Sequence, residues 1–291
     1  MSWRGDIQQP SNGRAAASTA STPPHPIPRV RRWLWLLVLV VGVLLFVAVH
    51  QAIVVTGNPN LVPSLLLLGA LLVPVSFVLY LDGRNTADDI PLSVLLICGL
   101  LGGVLGTVAA SLAESNTAQR LGGLPTVIIG LIEEGAKLLV PIGVLIFTRY
   151  RLNPADGLLV GVAVGTGFAV LETLGYGFVT LLLSRSLGFT EETLLLRGVL
   201  SPAAHIAWTG LAAAALWHAH ARRWHPRAVA AAVGTFVLVV ILHAIWDAGT
   251  GWPTYVIVGG ISLALLIRQA HRDVLIGDRT TPTTGTPGAV T

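Results

Sequence analysis

Charge is what this 291-residue chain has least of. Asp, Glu, Lys and Arg make up 11% of it, less than half the roughly 25% of a soluble domain. With 53% hydrophobic residues, that scarcity excludes an ordinary water-soluble fold and points to a polytopic membrane protein. Cysteine is nearly absent: Cys98 stands alone in an apolar stretch, so no intramolecular disulfide forms. With one cysteine and no histidine pair at finger-like spacing, a structural zinc site is also excluded. Lysine occurs once, as Lys137, against seventeen arginines. In a soluble protein the net charge of +4 would suggest nucleic acid; here the arginines report topology, and no nucleic-acid partner is expected.

What the chain has in quantity is long apolar runs. Residues 1–28, rich in Ser, Thr, Ala and Pro, are expected to be disordered. Arg29, Arg31 and Arg32 then precede Trp33–Val55, which is too long for a signal peptide and lacks a small-residue cleavage site. It reads as a retained first span. The further spans are Leu61–Leu81, Pro91–Ala113, Leu124–Phe147, Gly157–Leu183, Gly198–Ala219, Arg227–Asp247 and Pro253–Ile267. The expected fold is an all-α, polytopic bundle of about eight transmembrane helices over residues 29–276, followed by an unstructured tail, 277–291. Arg84, Arg149, Arg151, Arg222, Arg223 and Arg227 fall in alternate loops, and both ends of the membrane domain are basic. The opposite loops hold only Arg120, Arg185 and Arg197, so both termini are expected in the cytoplasm of a multi-pass cell-membrane protein.

The fourth span is the unusual one. Glu133, Glu134 and Lys137 sit in its middle, at a cost of about 9 kcal/mol on insertion scales. Its fourteen Leu, Ile, Val and Phe residues return only about 6 kcal/mol. At roughly 100° per residue, the three charges share one face with Gly130 and Pro141, which must turn toward partners. Partners exist in three later spans: Glu172 in the fifth, His205 in the sixth, and His243 with Asp247 one turn on in the seventh. Gly161, Gly165, Phe168, Glu172 and Tyr176 form one stripe, placing Glu172 at a helix interface. Any one of these groups alone is readily a structural hydrogen bonder. Together, with two glutamates sharing one lysine, they suggest chemistry. His50, His218 and His220, near predicted helix ends, are read as structural.

At these residues the chain resembles the PrsW family of intramembrane proteases, distant relatives of the CAAX-processing membrane proteases. The motifs are E-E-x-x-K at Glu133, Glu134 and Lys137, F-x-x-x-E at Phe168 and Glu172, and H-x-x-x-D at His243 and Asp247, with His205 in the intervening helix. The resemblance covers roughly residues 91–270 and implies peptide-bond hydrolysis within the membrane. A bacterial prototype makes the first cut in a membrane-anchored anti-sigma factor, so the implied partner is a membrane-anchored protein substrate.

No Ser or Cys pairs with a base, so a covalent nucleophile is not expected. In the preferred mechanism no cofactor is needed: Glu133 or Glu134 deprotonates water, and His205 and His243 stabilise the oxyanion. Glu172 and Asp247 orient the histidines, and Lys137 holds the second glutamate. In the metal version Glu134, His205 and His243 bind zinc, although the chain has no H-E-x-x-H. A proton-coupled transporter is the rival from another class, because carriers also use intramembrane Glu, His and Asp. Counting from the predicted external ends puts Glu133, Glu172, His205 and His243 roughly 6 to 17 Å deep, with the glutamates deepest and the histidines above them.

Overall fold

The computed structural model describes residues 29–84, 90–151 and 154–280, so the disorder expected for 1–28 and beyond Thr280 falls outside the described residues. Those residues form ten α-helices and three short 3-10 turns, with no strand among them. Helices α1 (Arg29–Thr56) and α2 (Val62–Asp82) make an antiparallel hairpin. Arg31 closes its open end on Asp82 at 2.9 Å.

Direction decides the number of crossings. Helices α3 (Leu92–Leu121) and α6 (Pro154–Ser184) run the same way, because Gly99 lies against Ala163 and Gly106 against Phe168. The chain between two parallel neighbours must cross back once. Helices α4 (Thr126–Lys137) and α5 (Leu139–Phe147) make that crossing together, each being too short to span alone. Seven other stretches among the described residues are individually long and apolar enough to cross a membrane, and with this broken pair they correspond to the eight spans expected. The fourth is not the continuous helix expected. Pro141 has no N–H to bond the Lys137 carbonyl four residues back, and the helix breaks directly after Lys137.

The sixth pass also differs. Helix α7 (Leu187–Leu200), a turn at Ser201–Ala203, and α8 (His205–Ala221) together return along α6. The expected start at Gly198 is therefore too late. Glu191, Glu192 and Arg197 depress the hydropathy of this stretch, but within the fold Glu191 pairs with His50, and Arg197 pairs with Glu172 at 2.8 Å. Pro202 accounts for the break before α8. Helix α9 (Pro226–Ala248) crosses again, and α10 (Trp252–Thr280) runs parallel to α8, with Trp208 donating to Ser262 Oγ at 2.9 Å. Helix α10 continues through residues 277–280, which had been assigned to the tail.

The core lies along α6 and α8, where Val160, Val162, Val164, Ile206, Trp208 and Trp217 are fully buried. Lipid is as apolar as these side chains, so close backbone approach has to hold the helices together. A Cβ on Gly167 would stand 1.8 Å from the Gly99 carbonyl oxygen, and one on Gly165 would stand 2.6 Å from the His205 carbonyl. Those two contacts bring α3 and α8 onto opposite flanks of α6. The same packing delivers His205 to the fourth pass.

Candidate active site

Helix α4 presents Glu133, Glu134 and Lys137 on one face at spacings of three and four residues, all buried. The Lys137 ammonium donates to Glu133 Oε2 at 3.1 Å and to Glu134 Oε1 at 2.8 Å. It also lies 4.0 Å from the Phe168 ring centre, a cation–π contact in a dry site. Its third partner is His205 Nδ1, at 2.8 Å.

An ammonium has no lone pair, so His205 Nδ1 must accept and Nε2 carries the proton. That Nε2 stands 2.8 Å from Glu172 Oε2, the oxygen that Arg197 also holds at 2.8 Å. The second imidazole enters from α9. His243 Nδ1 is 2.8 Å from Glu134 Oε1, and Nε2 is 3.2 Å from Asp247 Oδ2 and 3.7 Å from Glu133 Oε2. Its ring stacks on Trp208, with centroids 4.9 Å apart, and lies 5.2 Å from the His205 ring. All seven residues expected from the sequence therefore meet in one cluster. Glu172 and Lys137 both touch His205, one on each ring nitrogen.

Three neighbours were not anticipated. Arg197 had been placed in a loop. Trp208, one helical turn after His205, was findable from that spacing. Glu114 fell beyond the expected end of the third span at Ala113, whereas α3 runs on to Leu121. It lies within electrostatic reach of Glu133, Glu172, His243 and Lys137, and its Oε1 is buried without a hydrogen-bond partner. The histidines read as structural stay apart, His50 paired with Glu191 and His218 with Asp273.

Glu133, Glu134, Glu172 and Asp247 face two permanent cations, Lys137 and Arg197. With all four carboxylates ionised, two negative charges remain, to be met by protons on the carboxylates or imidazoles or by a divalent ion. Glu133, His205 and His243 each offer a donor atom within 4.8 Å of the others, in buried surroundings. Two imidazoles and a carboxylate form the ligand set of catalytic zinc sites, so these residues fit a metal. The glutamate of this group is Glu133 and not the Glu134 named from the sequence. Glu134 Oε1 is taken by Lys137 and by His243 Nδ1, and its buried Oε2 has no hydrogen-bond partner among the described residues. A cavity of about 410 Å³ reaches His205 from the α9–α10 connection, walled by Leu200, Trp246, Trp252 and Tyr255.

Residues 90–268 match the family model described as PrsW family intramembrane metalloprotease. The chain belongs to this family. Comparison with curated proteins and with solved structures gives no match. As a PrsW family member the protein is an intramembrane protease, multi-pass in the membrane and acting on membrane-protein substrates. The carrier reading gives way to that assignment.

Proposed function

We propose that this PrsW family protease cuts membrane-anchored proteins near the external end of their membrane segment, at a site built from Glu133, His205 and His243. The observation that carries the reading is the convergence of one carboxylate and two imidazoles within 4.8 Å. The cavity that ends at His205 opens from the α9–α10 connection, which the arginine asymmetry puts on the external side. An anti-sigma factor anchored by a single span is a substrate of the appropriate form.

Glu133, His205 and His243 would hold a zinc ion, His243 through the Nε2 that Glu134 does not use and His205 through Nδ1 once the Lys137 ammonium gives it up. Bound there, zinc would supply Lewis-acid polarisation of the scissile carbonyl and acidify a water. Glu172 and Glu134 fix the ring orientations, the role carboxylates play behind metal-bound histidines. Asp247, next to His243 Nε2 and partly open to solvent, receives the proton released by the attacking water and passes it to the leaving amine. Lys137 and Arg197 balance the charge of the orienting glutamates.

A metal-free route has one observation in its favour. The Lys137 ammonium already stands between Glu133 and His205 Nδ1, so it can supply the positive charge itself while Glu133 deprotonates water. Chelation of the purified enzyme separates the two routes. Activity lost on chelation and restored by added zinc supports the metal site, and full activity in metal-free enzyme supports the glutamate route.

A further inference from the structure

A second cavity, about 880 Å³, lies between α1, α2, α6 and α10 at the arginine-rich end of the bundle. It is near the top of the 300–1,000 Å³ range typical of ligand clefts, and none of its lining residues belongs to the candidate active site. Its polarity is one-sided. Arg32 and Arg84 stand at its mouth beside Trp35, and Leu39, Val73 and Leu263 line its depth. Along their helices, Leu39 and Val73 lie about 10 to 16 Å deeper than the arginines.

Among the described residues, the mouth carries more positive charge than its carboxylates meet. Arg31 is committed to Asp82 at 2.9 Å. Asp273, the acid among the lining residues, is held through Oδ1 by His218 at 2.9 Å and Gln269 at 3.0 Å, while its buried Oδ2 has no hydrogen-bond partner among the described residues. Arg84 lies over the Tyr80 ring at 3.8 Å, which orients the guanidinium without neutralising it. Among the described residues, neither Arg32 nor Arg84 has a carboxylate within ion-pair distance. Two guanidiniums without a carboxylate partner among the described residues, over a deep apolar groove at the membrane interface, fit a ligand with an anionic head and a hydrocarbon tail.

We propose that this groove binds an anionic phospholipid, its headgroup on Arg32 and Arg84 and an acyl chain along Leu39 and Val73. The site is independent of the proteolytic reading.

The test uses the full-length protein in phosphatidylcholine vesicles, titrated with phosphatidylglycerol whose acyl chain is brominated. Quenching of Trp35 is read as the difference between the wild type and Trp35→Phe. Brominated phosphatidylglycerol should quench Trp35 at mole fractions where brominated phosphatidylcholine does not. Arg32→Gln and Arg84→Gln should each raise the fraction required about fivefold. Arg32→Lys and Arg84→Lys, which keep the charge, should retain most of the preference and control for misfolding. Equal quenching by the two lipids, or a double Gln variant indistinguishable from wild type, overturns the proposal. So does quenching that appears only after residues 1–28 are deleted, or that a single-span peptide displaces, since either result assigns the groove to another occupant.

Discussion

Lys137 Nζ and His205 Nδ1, 68 residues apart in the chain, meet at 2.8 Å in the middle of the bundle. Each fixes the other. The ammonium sets the imidazole tautomer, and the imidazole completes the set of three acceptors that Glu133 and Glu134 begin. Replacing Lys137 by Met leaves two buried carboxylates without their cation, a loss of roughly 3–5 kcal/mol. The thermal midpoint of the detergent-solubilised protein should fall by about 10 °C. An unchanged midpoint would mean that the two glutamates are neutral or otherwise paired.

Glu172 acts on the reaction through His205. Glu172→Gln keeps a hydrogen-bond acceptor beside Nε2, so its turnover should fall about 10- to 100-fold, while His205→Ala falls to background. Initial rates on a single-span peptide measure both. A Glu172→Gln enzyme as inactive as His205→Ala would place Glu172 among the reacting groups.

The α3–α6 contact offers a matched pair of substitutions on one helix. Gly167→Ala drives a methyl group into the Gly99 carbonyl and should destabilise by about 1–3 kcal/mol. At Gly175 nothing lies within 4 Å of the added carbon, and Gly175→Ala should be neutral or stabilising by up to about 1 kcal/mol. Unfolding midpoints of the two variants, compared side by side, test whether the parallel helices approach as closely as described.

Reporter fusions after Arg84 and after Arg223 should read cytoplasmic, and fusions after Gly122 and Arg185 external. An external signal at Arg223 would reverse the orientation and with it the predicted side of cleavage.

Most of the fold was legible because lipid enforces a simple code. Apolar runs marked the passes, and charges within them marked the site. The two misjudged passes share a cause: a proline breaks each one beside a functional residue, Pro141 after Lys137 and Pro202 before His205. Hydropathy averaged over a window cannot register such a break. It also penalised α7 for Glu191 and Arg197, whose partners lie in other helices, so their charges are met only in three dimensions. Single spacings pointed to the seven clustered residues. Which glutamate faces both histidines depends on helix rotation, and spacing alone does not contain it.

The most direct measurement is cleavage of a single-span peptide by the purified full-length protein, with product termini mapped by mass spectrometry. Wild type should cut near the external end of the peptide's membrane segment. Glu133→Gln, His205→Ala and His243→Ala should each lower the rate by at least about 10²-fold while keeping the helical signal of the wild type. Wild-type rates from Glu133→Gln or His243→Ala, or cuts confined to the cytoplasmic end, would contradict the site proposed here.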